Sequence, residues 1–288
     1  MSEPDFITNS RIAIIGLGLM GASLALALRD RPRALLGCDK DPATLDQAHQ
    51  QNLFANLSRH PAEILPDADV VILATPLHSI LELIKQLPDL HPGSAIVLDL
   101  GSTKMDVVRA FESLPSRFDP LGGHPMCGKE KTGIENAEAD LFQGAAFAFT
   151  PLDRTSKAAR SFAGQLASAL GARALWIDPE THDQWSSATS HLPFLVASVL
   201  AGSTPAQSKP LTGSGFRSAT RIAATPASIM LDVLESNRDN ILEQLESFTQ
   251  LLDHYRALLS AGEYAALKSI LDESASKQRE LAGRQEDG

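Results

Sequence analysis

One stretch decides the fold of this chain: Arg11-Ile-Ala-Ile-Ile-Gly16-Leu-Gly18-Leu-Met-Gly21. An apolar, β-branched run leads into three glycines at the G-x-G-x-x-G spacing, and an apolar helical run, Ala22–Arg29, follows. In such a unit the first glycine makes a tight turn, the second lets a pyrophosphate approach the backbone, and the third packs helix against strand. We therefore predict a dinucleotide site formed by Gly16, Gly18, Leu19, Met20 and Gly21.

Two further features refine this site. Asp39 ends the next apolar run, eighteen residues beyond Gly21, where a carboxylate can bind both ribose hydroxyls and would repel a 2′-phosphate. NAD is therefore expected rather than NADP, although Asp39 also suits a turn before Asp41-Pro42. Thr75-Pro76 ends another apolar run and is predicted to approach the cofactor, with a simple strand-terminating turn as the alternative.

Composition agrees with a soluble enzyme. The 288 residues are 43% hydrophobic and 21% charged, and the net charge of −10 argues against a nucleic-acid partner. No apolar stretch approaches the roughly 20 residues that cross a bilayer, so no membrane association is expected. Two cysteines form neither a disulfide framework nor a metal-binding spacing. We predict a cytoplasmic protein without a metal.

Strand and helix patterns alternate up to about residue 177, and only helical periods follow. The pattern predicts an α/β fold, a Rossmann-type doubly wound sheet over residues 1–177 and an all-α domain over 178–288. Among the predicted strands are Ala34–Cys38, Ala95–Asp99 and Phe118–Leu121. Long helices are predicted over Pro179–Ala201 and Ala227–Ala261. Their apolar faces must pack on one another or on a second subunit, and the sequence leaves both open.

Polar residues follow the ends of the predicted strands, and this is where ligands bind in open α/β sheets. Ser102, in Gly101-Ser-Thr-Lys104, is a candidate for substrate contact and also suits a helix cap. His124 follows Gly122-Gly123 and precedes Pro125, and we predict that it is held at a bend that the glycines permit. A histidine in such a setting is a candidate proton acceptor.

Five motifs together resemble the prephenate/arogenate (cyclohexadienyl) dehydrogenases of tyrosine biosynthesis. In order they are Gly16–Gly21, Gly101–Lys104, the segment from His124 to Gly133, Ser190-His191-Leu-Pro193, and the segment from Gly213 to Ala223. The resemblance implies a Rossmann domain, a helical dimerisation domain and a homodimer. It also implies the oxidative decarboxylation of prephenate to 4-hydroxyphenylpyruvate or of arogenate to tyrosine, with NAD as the hydride acceptor.

The same resemblance implies roles for individual residues. His124 would accept the proton of the ring hydroxyl, and Ser102 would bond that hydroxyl or orient the histidine. Substrate binding is carried over to Arg221, His191, Ser187 and Glu130. Arg221 suits a bidentate grip on a carboxylate, and the resemblance gives Glu130 a position near the cleft mouth. His182-Asp183 also fits the family pattern, where we interpret the pair as a structural helix contact.

The chain departs from the family where many relatives have Trp and this sequence has Met230. The preference between prephenate and arogenate therefore stays open, with Glu135 as one carboxylate that could attract the ammonium group of arogenate. One alternative is a β-hydroxyacid dehydrogenase, but those enzymes use a lysine after a glycine-rich turn, and here only Lys209 lies between Asp178 and Ala266. Two further alternatives are an enzyme with altered chemistry on the same scaffold and a nonenzymatic NAD-binding protein.

Overall fold

Short runs of β-branched and leucine residues form one sheet in the computed structural model, which describes residues 5–282. Within these residues the sheet has eight strands. They are β1 (Arg11–Ile15), β2 (Ala34–Cys38), β3 (Asn56–Ser58), β4 (Val70–Leu73), β5 (Ala95–Asp99), β6 (Phe118–Pro125), β7 (Ala146–Pro151) and β8 (Arg173–Trp176).

The strand order is β3-β2-β1-β4-β5-β6-β7-β8, and every neighbouring pair is parallel except β6 and β7. The first six strands have the doubly wound dinucleotide-binding order, which reverses between β1 and β4. The predicted fold class is therefore confirmed. Ligands bind in such sheets where the order reverses, beyond the carboxyl ends of the strands.

Helices cover the sheet and continue beyond it. They are α1 (Phe6–Asn9), α2 (Leu19–Ala27), α3 (Pro42–Gln50), α4 (Leu77–Leu90), α5 (Met105–Glu112), α6 (Lys157–Ala169), α7 (Pro179–Ser186), α8 (Leu192–Ser203), α9 (Ser214–Thr220), α10 (Ala227–Ser236), α11 (Arg238–Ala261) and α12 (Tyr264–Ala282). Alternate residues of β1 enter two separate cores, with Ile12 and Ile14 in one and Ala13 and Ile15 in the other. Both faces of the sheet are thus buried, as a parallel sheet requires.

The strand that carries His124 is longer than its sequence predicts. β6 continues to Pro125, and His124 lies opposite Ala148 of β7, so the predicted bend at His124 was wrong. A Cβ at Gly122 would lie 2.0 Å from Thr150 Oγ1, and one at Gly123 would lie 2.7 Å from the Asp99 carbonyl oxygen. The glycines therefore allow close strand packing, and the sheet itself holds His124.

The helical half is more interrupted than the sequence predicts. The predicted helix over Pro179–Ala201 is divided by a π-helical turn, Ser187–His191, between α7 and α8. A second break at Asn237 separates α10 from α11. Single π turns inside α-helices occur frequently at functional sites.

The described chain forms two compact units, one up to Asn240 and one from Ile241 onward. The first contains the sheet and the helices up to α10. In the second, α11 and α12 are joined at Gly262, which has a φ of +72°, and the Tyr255 hydroxyl lies 3.1 Å from Ser274 Oγ. Across residues 5–282, no helix is both long and apolar enough to cross a membrane.

Candidate active site

A cavity of about 490 Å³ lies at the ends of β1, β2 and β4, and Gly16, Asp39 and Thr75 contribute to its lining. Gly16 has a φ of +97°, and a Cβ there would lie 2.7 Å from the Ala74 carbonyl oxygen. Only glycine tolerates this turn. The Leu17 N–H donates to Asp39 Oδ2 at 2.8 Å. This hydrogen bond holds the carboxylate against the glycine turn, and Asp39 also lines the cavity.

The start of α2 offers a place for a diphosphate. Gly18 is the N-cap residue and supplies no side-chain cap, so the first N–H groups of the helix are available to an anion. No heavy atom lies within 4 Å of the position a Gly18 Cβ would take. The buried Thr75 Oγ1 finds no hydrogen-bond partner among residues 5–282. Open space, free donors and an unpaired hydroxyl fit a bound dinucleotide.

The third glycine of the fingerprint is placed differently. A Cβ at Gly21 would lie 1.9 Å from the Gly16 carbonyl oxygen, and Gly21 lines neither this cavity nor its neighbour. Its position serves the packing of α2 on β1. Leu19 and Met20 line the neighbouring cavity.

That second cavity, of about 400 Å³, shares Gly18, Thr75 and Pro76 with the first. It is also lined by the half-buried Ser102 and, from α10, by Asp232. The sequence analysis did not single out Asp232, whose carboxylate lies 3.6 Å from His78 Nε2. The two cavities together provide space for a dinucleotide and a small molecule beside it.

His124 belongs to a buried chain of polar contacts. Its side chain is only 8% exposed, and its Nδ1 lies 2.9 Å from Nε2 of His182. His182 Nδ1 lies 2.8 Å from Asp183 Oδ1. The Asp183 carboxylate also accepts the backbone N–H groups of Lys104 at 2.7 Å and Met105 at 2.9 Å. The pair interpreted from sequence as a helix contact is thus also linked to His124, which His182 contacts directly.

The surroundings keep His124 neutral. Burial holds its pKa well below the usual histidine value, and His182, Lys104 and His191 lower the pKa further. Lys104 is itself fully buried and forms an ion pair with Asp99, and its Nζ donates to the Gly123 carbonyl oxygen at 2.7 Å. Burial lowers the pKa of Lys104, and Asp99 opposes that shift. A neutral imidazole is able to accept a proton.

His191 occupies the π turn and presents a free nitrogen. Asn237 Nδ2 lies 3.1 Å from His191 Nδ1 and donates to the Asp183 carbonyl oxygen at 2.7 Å. Asn240 Nδ2 donates to Asn237 Oδ1 at 2.7 Å. These two contacts orient the Asn237 amide, so His191 Nδ1 accepts and Nε2 carries the hydrogen.

The hydrogen on His191 Nε2 has no acceptor within the described part of the chain, although the atom is buried. Burial lowers the pKa of His191 to about 4, so the ring is a neutral donor near pH 7. Ser187, four residues earlier on the same turn, is buried and donates to the Gln184 carbonyl oxygen at 2.7 Å. An unpaired buried donor is costly unless a ligand satisfies it.

Arg221 and Glu130 form an ion pair at a more exposed position. The Arg221 side chain is 62% exposed and that of Glu130 is 26% exposed. Arg221 lies in a short 3₁₀ turn, Arg221–Ala224, after α9. Exposed pairs contribute little stability, about 0–1 kcal/mol. A ligand carboxylate can therefore replace Glu130 as the partner of Arg221 at small cost.

The structure connects His124 with His191 through His182, Asp183 and Asn237. It pairs Arg221 with Glu130, and it places Ser102 with the predicted cofactor residues other than Gly21 around the two cavities. Sequence reasoning missed the contact of His182 with His124 and that of Asn237 with His191. The adjacent His-Asp pair was the one available signal.

Comparisons with known proteins concern the fold and the family of the chain. The family model for the prephenate dehydrogenase nucleotide-binding domain matches residues 24–175, and that for the prephenate dehydrogenase dimerization domain matches residues 178–273. A prephenate dehydrogenase of Bacillus subtilis is 32% identical over 257 residues, which cover 85% of this chain and 69% of the relative. A cyclohexadienyl dehydrogenase of Zymomonas mobilis is 29% identical and is matched over 90% of its length and 88% of this chain.

Solved structures give the same result. Prephenate dehydrogenase of Aquifex aeolicus, in complex with hydroxyphenyl propionate and NAD⁺, superposes with a TM-score of 0.87 at 27% identity, covering 96% of this chain and 100% of that one. Synechocystis arogenate dehydrogenase gives 0.79 at 28% identity, with coverages of 94% and 99%. A 3-hydroxyisobutyrate dehydrogenase of Mycobacterium tuberculosis gives 0.53 at 16% identity over 79% of this chain and 70% of that one, a likeness of fold alone. Nothing in these comparisons favours the β-hydroxyacid alternative.

Proposed function

Since this chain belongs to the prephenate dehydrogenase family, we propose that it converts prephenate to 4-hydroxyphenylpyruvate, arogenate to tyrosine, or both. It is an NAD-dependent dehydrogenase: its relatives are prephenate and cyclohexadienyl dehydrogenases, and the Aquifex aeolicus structure holds NAD⁺. The observation that carries the residue-level proposal is the buried, neutral His124, held by His182 near the carboxyl end of β6. The reaction needs such a proton acceptor.

His124 accepts the proton of the ring hydroxyl as the carbon–oxygen bond becomes a double bond. When NAD is bound, its nicotinamide supplies the acceptor for the hydride that leaves the same ring carbon. The ring carboxylate departs as CO₂, the electron pair of its bond enters the ring, which becomes aromatic, and the carbonyl oxygen becomes a phenolate. The phenolate takes the proton back from His124 and gives the phenol of the product. Ser102, which lines the second cavity, donates to the substrate hydroxyl oxygen or orients His124. A positioned base contributes about 10²–10⁴-fold in rate.

Two other predicted residues bind the substrate in this proposal, and a third supports one of them. His191 donates its unpaired Nε2–H to an oxygen of the substrate, which satisfies a buried donor. Arg221 exchanges Glu130 for a substrate carboxylate and binds it in a bidentate manner. Ser187 holds the π turn that carries His191, because its hydroxyl is already donated to a backbone carbonyl.

NAD is proposed over NADP because Asp39 lines the first cavity next to the fingerprint turn. Arg59 and Lys40 line the same cavity, and the sequence analysis did not place Arg59 there. A guanidinium at this position can accommodate a 2′-phosphate. The proposed preference for NAD over NADP therefore rests on the Asp39 carboxylate. The ratio of kcat/KM for NAD and NADP, in wild type and in Asp39→Asn, tests it. An unchanged ratio would remove Asp39 from cofactor selection.

A homodimer through the helical domain is also proposed, with the domain boundary at residue 178. The support is the match of residues 178–273 to a family model for a dimerization domain. Within the second unit, apolar side chains on α11 and α12 are exposed, including Leu251, Leu252, Leu259 and Leu271. Light scattering of the full chain tests this proposal. A monomer at micromolar concentration would contradict it.

Formation of NADH, followed at 340 nm with prephenate and with arogenate, tests the function. We expect turnover with at least one substrate, and the ratio of the two kcat/KM values gives the preference. His124→Asn is the matched variant: it should retain NAD binding and lose most turnover. Demonstrated NAD binding without turnover of either substrate would point to altered chemistry on this scaffold.

A further inference from the structure

The described structure links His124, His182 and Asp183 in a chain whose proton positions can be derived. We propose that His182 and Asp183 are positioning residues that hold His124 in the tautomer with a hydrogen on Nδ1 and a free lone pair on Nε2. The proposal rests on the proposed function, because it explains how His124 is ready to accept a proton.

Asp183 lies at one end of this chain of contacts and is 1% exposed. Its Oδ1 accepts the Lys104 N–H at 2.7 Å, and its Oδ2 accepts the Met105 N–H at 2.9 Å. Backbone amides only donate, so both oxygens act as acceptors, and hydrogen bonds from such donors favour the charged carboxylate. His182 Nδ1, 2.8 Å from Oδ1, must therefore carry a hydrogen.

The other nitrogen of His182, Nε2, faces His124. With its hydrogen on Nδ1, a neutral His182 has only a lone pair on Nε2. His124 Nδ1 lies 2.9 Å from that atom and must donate to it. The Ser186 hydroxyl is farther away, at 3.5 Å. His124 is then protonated on Nδ1, and its Nε2 is the basic atom.

The opposite tautomer of His124 would place two lone pairs against each other at 2.9 Å. The charged and titratable groups around the ring are Lys104, His182, His191 and, one residue further, Asp183. Lys104 is neutralised by Asp99, so Asp183 is the anion available to the chain. When Nε2 accepts the substrate proton, His124 becomes positively charged. This charge is stabilised by the hydrogen bond from His124 Nδ1 to His182, which is itself bonded to the Asp183 carboxylate.

The wild-type protein provides the first test. Long-range ¹⁵N correlation of the histidine side chains distinguishes the two tautomers, and the His124 signals are assigned by their loss in His124→Asn. At neutral pH we expect Nδ1 of His124 to be protonated and Nε2 to have the shift of an unprotonated nitrogen. A protonated Nε2 would overturn the proposal, whether or not the enzyme turns over a substrate.

Kinetics provide the second test. His182→Phe keeps an aromatic ring and removes both nitrogens, and its matched control is His91→Phe. His91 is also buried, at 2% exposure, and its ring nitrogens contact the Ala68 carbonyl oxygen and the Gly93 N–H. We expect kcat to fall about 100-fold or more in His182→Phe, because a wrongly protonated histidine loses its function as a base. His91→Phe should lose stability and retain kcat.

A rescue variant separates positioning from simple destabilisation. In His182→Gln an amide oxygen can accept from His124 Nδ1, so part of kcat and the wild-type ¹⁵N pattern of His124 should return. Equal kcat values for His182→Phe and His91→Phe would overturn the proposal. Absence of turnover in wild type with both substrates would refute the proposed function instead, and the ¹⁵N pattern would still decide the tautomer.

Discussion

Two glycines of the same fingerprint should respond in opposite ways to an added methyl group. In Gly21→Ala the new Cβ would lie 1.9 Å from the Gly16 carbonyl oxygen and 3.1 Å from Ile14 Cγ2. Carbon–oxygen contacts shorter than 3.0 Å are not tolerated, so α2 must move from β1 by roughly 1 Å. Overpacking of this kind costs about 1–3 kcal/mol, and we expect the upper end because the nearest atom is backbone.

Gly18→Ala is the matched control. Its backbone is extended, with a φ of −70°, and its Cβ would meet no heavy atom within 4 Å. The free energy of unfolding should change by less than about 0.5 kcal/mol. The methyl group nevertheless occupies the space that a pyrophosphate needs, so the Kd for NADH should rise at least tenfold.

Urea denaturation followed by circular dichroism measures the first quantity, and NADH fluorescence titration measures the second. The expected result is a clean division: Gly21→Ala loses stability, whereas Gly18→Ala keeps its stability and loses affinity. Equal losses of stability in the two variants would refute the packing argument. Unchanged NADH affinity in Gly18→Ala would refute the location of the diphosphate.

Three further predictions concern the site. His124→Asn should bind NADH normally and lose about 10²–10⁴-fold in kcat; a near-wild-type rate would remove His124 from the mechanism. Arg221→Ala should raise the substrate KM at least tenfold with a smaller change in kcat, and an unchanged KM in steady-state kinetics would contradict its contact with a carboxylate. Because burial lowers the pKa of His191 to about 4, the unfolded chain binds a proton between about pH 6.5 and 4 that the native state excludes. The free energy of unfolding should therefore fall as the pH drops through this window, and His191 contributes up to about 3 kcal/mol of that loss. Urea denaturation at pH 7 and at pH 4.5 measures it, and the loss between the two pH values should be smaller in His191→Asn than in wild type.

Local patterns in the sequence were enough to predict the nucleotide-binding half. A strand, a glycine turn and a helix are formed by adjacent residues, so the spacing of Gly16, Gly18 and Gly21 already implies the crevice beside β1. Parallel strands are continuous apolar runs, and the α/β class followed from their alternation with helices. The family resemblance, which five motifs in order supported, is confirmed by the comparisons.

Strand pairing and helix breaks needed the folded chain. Gly122-Gly123 is typical of a bend in a sequence, yet β7 at Gly122 and β5 at Gly123 pack so closely on β6 that glycine is required within a strand. The break at His191 has a local signal that the sequence prediction did not use, because Pro193 lies at the start of α8 and proline interrupts a helix. The break at Asn237 has no strong local signal. Packing against the rest of the unit overrides propensity at such positions.

The sequence by itself determined the chemistry available to this protein: a dinucleotide crevice, a histidine and a serine near strand ends, and cationic and polar groups from the helices. Only the tertiary structure decided how those groups act on one another. His124 and His182 are 58 residues apart in the chain and 2.9 Å apart in space, and Asn237 meets His191 across 46 residues. A hydrogen bond depends on the position of two atoms to within a few tenths of an ångström. Packing of the whole chain sets such positions, and no local pattern encodes them.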